Sequence, residues 1–387
     1  MMVAVLLQED GPETRRELVL MSCEMQRDRL RIGIVFGGRS GEHEVSVASA
    51  RSVYENLDRE KYAVSLIGIT KDGAWVLPAD EHKSLTEGPT GAESFKAIVP
   101  VDHGALLAGP GSPGQPVDVV FPVLHGTYGE DGTVQGLLEL SGIPYVGAGV
   151  LGSAVGMDKV VMKALFTSAG LPNAEFIHFK RHEWQAGNEA ISRRVADEVG
   201  FPCFVKPANL GSSVGISKVK VPSELAAAID LAAQYDLKVL VERSIEDAHE
   251  IECSVLGNDD PQTSVLGEIL PSREFYSYEA KYVDDASGQI IPADLPRDVA
   301  ERIRGMAVEA FRALDCAGLA RVDFLVRRRT HQVYVSEINT LPGFTKISMY
   351  PKLWEASGLS YSDLLDRLIA LALDRHAQRA SLKTSYD

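Results

Sequence analysis

The chain has 387 residues, of which 45% are hydrophobic and 24% charged, and its mean hydropathy is −0.03. These values exclude a peptide, a lone small module and a disordered chain, and they predict two to three globular domains. With 54 acidic against 39 basic residues the formal charge is −15, which argues against general binding to nucleic acid or to an anionic membrane.

The cysteines and the start of the chain bear on its location. Cys23, Cys203, Cys253 and Cys316 are far apart and form neither a CxxC pair nor a zinc-ligand spacing, which is typical of reduced thiols in the cytosol. The first apolar run ends at Gln8, too early for a signal peptide, and no later run approaches the roughly 18 apolar residues of a membrane span. We therefore expect a cytoplasmic protein.

A first domain is predicted at residues 30–147, after a charged extension at 1–29 that has no periodic pattern and should be dispensable. From Arg31 an apolar strand, a glycine turn and a helical pattern follow one another. Later elements of this domain are the strands YAVSLIGIT, VDVVFPVLHG and GIPYVG and the helix GTVQGLLELSG. A parallel sheet with crossover helices is the simplest assembly, and a ligand crevice would lie at the carboxyl ends of its strands.

Two further units are predicted, a central one at 148–244 and a C-terminal one at 245–387. Their helices are MDKVVMKALFTSAG, VAERIRGMAVEAFRALDC and YSDLLDRLIALALDRHAQ, and their strands are FPCFVKPA, GISKV, LKVLVERS, EIECSVLGN and VLGEILP. The segment 272–296 is polar and aromatic without a sustained period. A long irregular stretch in a compact protein is usually functional, so we expect an active-site lid there.

Two glycine-rich segments differ in what they indicate. GAGVLG at Gly147–Gly152 matches GxGxxG formally, but no strand ending in an acid follows it at the expected distance, so a Rossmann site is disfavoured. In VKPANLGSSVGISKV, Lys206 ends a strand and Gly211, Ser212, Ser213 and Gly215 follow. Small residues let backbone N–H groups close on phosphate oxygens, and a lysine supplies charge. An unliganded hairpin turn is the alternative.

Acidic residues on two neighbouring strands indicate a metal site. If the turn between RVDFLVRR and QVYVSEINT is centred on Thr330, antiparallel pairing places Asp323 opposite Glu337. Arg321 and Asn339 share that face because side chains alternate along a strand. Two carboxylates and an amide oxygen form a hard site suited to Mg²⁺ on nucleotide phosphates. The alternative is a structural ion-pair network of Arg321, Asp323 and Glu337.

Seven motifs in a fixed order carry a family resemblance that extends over nearly the whole chain from Arg31. They are GGRSGEHEVS, LHGTYGEDGTVQGLLEL, MDKVVMKALF, KPANLGSSVGISKV, FYSYEAKY, RVDF and EINTLPGFTKISMYP. The sequence resembles ATP-grasp enzymes and, among them, the D-alanine–D-alanine ligase family. The resemblance implies an α/β protein that is α+β in its nucleotide-binding part, namely an ATP-grasp fold with an N-terminal parallel-sheet α/β domain.

The resemblance also implies an activity. Members of the family join two D-alanine molecules for peptidoglycan synthesis, with ATP as cosubstrate, two Mg²⁺ or Mn²⁺ ions and a D-alanyl phosphate intermediate. A homodimer is suggested, and the participation of a monovalent cation is left open. Tyr282 in the lid motif favours D-alanine as the second substrate over D-lactate.

Site residues follow from the same resemblance, position by position. Those implied at ATP are Lys159, Lys206, Ser212, Ser213, Glu242, Arg243, Ser244, Ile245, Glu250 and Lys281, and those implied at the metals are Asp323, Glu337 and Asn339. Those implied at the first D-alanine are Glu42, His125, Ser212 and Tyr282. Arg321 and the Gly343 amide would face the oxyanion, and Ser348 and Met349 the carboxylate of the second D-alanine.

Other readings stay open. Glu42 stands at a predicted helix start, where an acid is favourable for the helix dipole alone, and His125 at a strand end is also consistent with an ordinary surface histidine. The whole chain could be a D-alanine–D-lactate or D-serine ligase, or a non-catalytic ATP-binding module. The last is disfavoured because the predicted metal carboxylates, Arg321 and the lid motif occur together.

Overall fold

A computed structural model describes residues 29–78, 80–89, 117–211, 214–270 and 288–383. The predicted extension at 1–29 lies outside the described residues except for Arg29, and so does most of the predicted lid at 272–296. No helix in these described ranges is both long and apolar enough to cross a membrane.

The N-terminal domain is built around a mainly parallel sheet. Its described elements are β1 (Leu30–Gly37), α1 (His43–Asn56), β2 (Tyr62–Ile69), β3 (Trp75–Val76), α2 (Glu81–Glu87), β4 (Val119–Pro122) and α3 (Thr133–Leu140). The strand order is β3-β2-β1-β4, with β1 parallel to both β2 and β4. Both faces of β1 are buried, since Ile32 and Ile34 join one core and Val35 another. This is why the strand is a continuous apolar run.

One predicted strand of this domain is wrong. GIPYVG forms only a single parallel bridge, between Val120 and Tyr145. Pro144 has no N–H to donate to a ladder, and Gly142 and Gly147 at either end have positive φ values of 64° and 104°. The segment therefore passes the sheet edge without extending it.

The central unit is an antiparallel sheet covered by helices. Its elements are α4 (Val150–Met157), α5 (Lys159–Ser168), β5 (Phe176–Lys180), α6 (Arg181–Arg194), β6 (Cys203–Pro207), β7 (Ser217–Val219), α7 (Leu225–Tyr235) and β8 (Lys238–Arg243). The strand order is β5-β8-β6-β7. The Asp158 carboxylate caps α5 by accepting from the Val160 and Val161 N–H groups, as expected of an N-cap aspartate. Met162 and Phe166 of α5 pack into the C-terminal core.

The C-terminal unit is a second antiparallel sheet. Its elements are β9 (Ala248–Gly257), β10 (Gln262–Leu270), β11 (Gly288–Ile290), α8 (Arg297–Ala313), β12 (Gly318–Arg327), β13 (Val333–Asn339), α9 (Met349–Ala356) and α10 (Tyr361–Ala380). The strand order is β11-β10-β9-β12-β13. β11, the described end of the predicted lid, is a regular strand paired with β10. Leu365 and Leu368 of α10 lie in the same core as Ile32, so the last helix closes the first domain.

Candidate active site

A cavity of about 450 Å³ lies between the central and C-terminal sheets. It brings together residues from Lys159 to Glu337, which are far apart in the sequence. The charged side chains at its wall include Lys159, Lys163, Lys206, Glu242, Glu250, Arg321, Asp323 and Glu337. Arg243 and Ile245 also line it. Most residues predicted to bind ATP or metal therefore share one cavity.

Three acids form a row across the C-terminal sheet at the cavity floor. Asp323 on β12 pairs with Glu337 on β13, which confirms the predicted pairing, and with Glu252 on β9. The β12–β13 register shifts by one residue beyond Asp323, so Phe324 pairs with Val335. Residues paired across adjacent strands point to the same face. All three carboxylates consequently face the cavity side of the sheet.

Arg321 lies in the next row on the same face, between Ser254 and Asn339. Its Nε and Nη2 each donate to an oxygen of Asp323 at 2.7 Å, and its Nε lies 3.1 Å from Glu252 Oε2. Burial of the guanidinium lowers its pKa, but Asp323 and Glu252 outweigh this and raise it well above the usual value. The ion-pair network considered from sequence is thus present for Arg321 and Asp323.

The oxygen donors of this face suit a hard dication. Asp323, Glu337 and Asn339 offer carboxylate and amide oxygens, the ligands that Mg²⁺ prefers. Asn339 Oδ1 accepts from the Leu341 N–H at 3.1 Å, which fixes the amide. Within the described ranges no group of three or more His, Cys, Asp or Glu side chains is clustered tightly enough to hold a metal unaided. The set therefore fits Mg²⁺ bridged to phosphate better than a metal caged by protein alone.

Two lysines share one carboxylate on the opposite wall. Lys163 Nζ lies 2.7 Å from Glu242 Oε2, and Lys206 Nζ lies 2.6 Å from Oε1. Burial would raise the pKa of Glu242, but the two lysines outweigh it and lower the pKa to about 2. Lys159 Nζ donates to the Leu210 carbonyl at 2.8 Å. The wall thus holds ammonium groups at fixed positions where phosphates could bind.

Sequence reasoning missed Lys163 and Glu252. Lys163 follows Lys159 by one helical turn, which places both on one face of α5. Glu252 follows Glu250 by two residues on β9, which places both on one face of that strand. Both spacings were visible in the sequence, but neither indicates which element packs opposite.

The residues that follow Glu242 have different surroundings. Arg243 is exposed, and its Nε donates to the Val199 carbonyl at 2.8 Å. The Ser244 hydroxyl donates to Glu246, and Ile245 is buried. Of this group Ile245 offers an apolar surface for a flat base, whereas the Arg243 head group is engaged by a backbone carbonyl.

Glu42 and His125, the two described residues of those predicted at the first substrate, lie at the domain boundary. Glu42 is buried at the start of α1 without capping that helix through its side chain. His125 is 3% exposed, so the surface-histidine reading is wrong. Its Nδ1 lies 3.1 Å from the Leu341 carbonyl and its Nε2 3.0 Å from Ser49 Oγ. Burial lowers the pKa of His125, but Glu130, with help from Glu42, outweighs it and the pKa is raised.

The segment LPGFTKISM of the last motif begins close to this boundary, where the Leu341 carbonyl contacts His125. A Cβ at Gly343 would lie 2.8 Å from Ser348 Oγ, which accepts from the Thr345 N–H at 3.0 Å. The Met349 side chain packs with Ile269 and Leu353, so only its backbone N–H, at the first position of α9, is available to a carboxylate. Gly343 keeps the chain close to Ser348.

Four predicted residues fall outside the described residues, namely Ser212, Ser213, Lys281 and Tyr282. The neighbouring Gly211 is described, and a Cβ there would lie 2.6 Å from Glu42 Oε1. The glycine loop after Lys206 therefore reaches the acid of the N-terminal domain.

Comparisons with known proteins agree with this geometry. A family model described as "D-ala D-ala ligase N-terminus" matches residues 31–148, and one described as "D-ala D-ala ligase C-terminus" matches residues 165–370. A D-alanine–D-alanine ligase of Thermoanaerobacter sp. (strain X514) is 52% identical, with 91% of this chain and 99% of the relative covered.

Solved structures show the same likeness. The D-alanine–D-alanine ligase of Coxiella burnetii superposes with a TM-score of 0.80 at 38% identity, covering 91% of this chain and 96% of the other. The VanG D-Ala:D-Ser ligase of Enterococcus faecalis gives a TM-score of 0.79 at 38% identity, covering 89% and 99%.

Proposed function

The chain belongs to the D-alanine–D-alanine ligase family and is an ATP-dependent ligase that joins two D-alanine molecules; we propose that the cavity between the two antiparallel sheets is where it does so. In this proposal Lys159 and Lys206 hold the phosphates of ATP, and Ile245 and Glu250 border the nucleoside. The support is that all four side chains reach this cavity.

The reaction needs activation of a carboxylate, because a carboxylate in water does not react with an amine. The first D-alanine carboxylate attacks the γ-phosphate, and an acyl phosphate and ADP form. Lysine ammonium groups on the cavity wall neutralise the charge on the transferred group. The second D-alanine then attacks with its free amine, and phosphate leaves as the dipeptide forms. Holding both amino acids in line supplies part of the acceleration.

Metal binding is assigned to the acid face. Asp323, Glu337 and Asn339 would hold Mg²⁺ or Mn²⁺, two ions in the family's pattern, and the bound ions would neutralise the charge on the nucleotide phosphates. Arg321 lies one row away on the same face. We assign it, with the Gly343 N–H, to stabilising the tetrahedral oxyanion.

The first D-alanine is assigned to Glu42. Its buried carboxylate at the domain boundary offers an ion-pair partner for the substrate ammonium, and the protonated form of His125 lies close enough to influence it. Ser348 and the Met349 N–H at the start of α9 are assigned to the carboxylate of the second D-alanine. We place the enzyme in the cytoplasm as a homodimer, supplying the dipeptide for peptidoglycan precursors.

The observation that carries these assignments is the register that places Asp323 between Glu252 and Glu337, beside Arg321, at the floor of a lysine-lined cavity. The test is phosphate release from Mg·ATP with D-alanine alone, with D-alanine plus D-serine, and with D-alanine plus D-lactate, each product being identified by mass. We expect D-alanyl-D-alanine in every mixture. A mixed product that prevails would reassign the second substrate.

Two variants test the residue roles. Arg321→Ala should keep ADP affinity while turnover falls by on the order of a hundredfold or more, the usual effect of removing an oxyanion donor. Glu42→Gln should raise the KM for the first D-alanine and leave ATP affinity unchanged. If Glu42→Gln weakened only ATP, the assignment of the first substrate would be wrong.

A further inference from the structure

Glu252 is a third carboxylate at the acid face, and none of the roles assigned above uses it. It sits directly opposite Asp323 across the β9–β12 ladder, and its side chain is 10% exposed. A carboxylate placed at this depth needs a cationic partner, because burial of an uncompensated charge is costly. Arg321 is that partner, at 3.1 Å from Nε to Oε2.

Arg321 is therefore shared between two carboxylates. Both oxygens of Asp323 are engaged by its guanidinium at 2.7 Å. A dication bound to Asp323 would stand next to this guanidinium, and two cations on one carboxylate repel each other. For a metal ion to bind tightly at Asp323, Arg321 must form its ion pair with another carboxylate. Among the described residues, Glu252 is the other carboxylate within ion-pair distance of Arg321.

The surroundings of Glu252 favour an anchor for arginine over a metal ligand. On its far side the paired residue of β10 is Gly267, and the Met349 methyl group fills the space beside it, since a Cβ at Gly267 would lie 2.2 Å from Met349 Cε. An apolar side chain on that side offers no polar partner to the water ligands that Mg²⁺ retains. Among the described residues, Glu252 thus has the Arg321 guanidinium on β12 on one side and, over Gly267 of β10 on the other, the Met349 side chain.

We propose that Glu252 is a positioning residue that holds the Arg321 guanidinium when Asp323 binds the metal, so that Arg321 does not compete with the metal for Asp323 and stays available to the oxyanion. This rests on the proposed metal site at Asp323. Loss of the Glu252 charge leaves Asp323 as the carboxylate within ion-pair distance of Arg321 among the described residues. Metal affinity then falls because Arg321 competes for Asp323, and turnover falls because the guanidinium is drawn away from the reacting carbonyl.

The test measures Mn²⁺ affinity of the full-length enzyme by electron paramagnetic resonance in the presence of ADP. Glu252→Gln should weaken Mn²⁺ roughly tenfold, the size seen when a supporting partner of a metal site is removed. It should lower kcat while the KM for the first D-alanine stays unchanged. Glu268→Gln is the matched control, because Glu268 is also buried, lies on the adjacent strand β10 and is bonded to His249 at 2.6 Å on the opposite face.

The Arg321→Met background separates positioning from direct ligation. If Glu252 acts through Arg321, adding Glu252→Gln to Arg321→Met changes Mn²⁺ affinity little. If the full weakening persists in that background, Glu252 acts on the metal directly and the positioning role is overturned. Equal weakening by Glu268→Gln would likewise overturn it, as a general effect of a lost buried charge.

Asp323→Asn keeps the two proposals distinguishable. Loss of Mn²⁺ binding in this variant, with tenfold weakening in Glu252→Gln, supports both. Loss in Asp323→Asn with no change in Glu252→Gln overturns the positioning role alone. Unchanged Mn²⁺ binding in Asp323→Asn overturns the metal site and with it the role of Glu252.

Discussion

Lys163 Nζ lies 2.7 Å from Glu242 Oε2, and both side chains are almost fully buried, with 3% and 8% of their surface exposed. The other oxygen of Glu242 is held by Lys206 at 2.6 Å. One acid thus fixes two lysines from different elements, α5 and β6, on one wall of the cavity. Lys206 is proposed to bind a phosphate of ATP. Lys163 supports this site because it neutralises part of the charge of the Glu242 carboxylate, which also holds Lys206.

Lys163→Met should destabilise the fold strongly. Breaking a buried ion pair costs up to roughly 3–5 kcal/mol, and here Lys206 remains as the second cationic partner of Glu242. Lys71→Met is the control, because the Lys71–Glu44 pair is exposed on both sides and such pairs contribute about 0–1 kcal/mol. Urea unfolding of both variants measures the free energy of unfolding. Similar small losses in the two would show that Lys163 and Glu242 are not paired in solution.

Glu242 should contribute to acid sensitivity. Its pKa falls from 4.5 to about 2 in the fold. A lowered pKa stabilises the fold above the unfolded value, and this stabilisation is lost as the pH falls from about 4.5 toward 2. A shift of this size is worth about 3 kcal/mol by linkage. Glu242→Gln should lack this part of the pH dependence when the free energy of unfolding is measured across that range.

His125 should act in the opposite direction. Its pKa is raised above 6.5 in the fold because the Glu130 and Glu42 carboxylates outweigh burial. A raised pKa gives stabilisation that is complete below pH 6.5 and is lost as the pH rises through the folded pKa. Glu130→Gln should flatten the fall in melting temperature as the pH rises above 6.5. His82→Gln, at an exposed histidine of α2, should leave that profile unchanged.

The sequence predicted the acid pair correctly for a reason only the structure reveals. Centring the turn on Thr330 gives Asp323 opposite Glu337, yet nearer the turn Phe324 pairs with Val335, one residue away from that register. An extra residue at Ser336 restores the expected pairing at the site. Alternation along each strand sets which face a side chain takes, so this part is readable from local pattern.

Contacts between distant elements were not readable in the same way. Lys163 and Glu252 carry the right spacing, but a polar residue on a helix or strand face is as often solvated as buried. Which it is depends on what packs opposite: β8 for Lys163, and β12 for Glu252. The prediction of a strand at GIPYVG was wrong for a related reason. Its apolar pattern is typical of a strand, but Pro144 has no N–H for the hydrogen-bond ladder of a sheet.

Gly211→Ala should impair the first D-alanine site specifically. An added Cβ would lie 2.6 Å from Glu42 Oε1, closer than real Cβ contacts allow, so the carboxylate at the end of this flexible side chain must move. Gly211 is not among the described glycines with a positive φ. Alanine therefore brings little backbone strain there, and the effect is steric.

The expected result is a KM for the first D-alanine raised roughly tenfold, because a displaced carboxylate loses a charge-assisted hydrogen bond worth about 1.5–3 kcal/mol. Gly41→Ala is the control, since it adjoins Glu42 in sequence and its added Cβ would meet nothing within 4 Å. Initial rates across D-alanine concentrations at saturating ATP separate the two variants. An unchanged KM in Gly211→Ala would show that Glu42 does not bind the substrate ammonium. An equal rise of the KM in Gly41→Ala would show that the effect comes from the start of α1 as a whole and not from the Glu42 carboxylate.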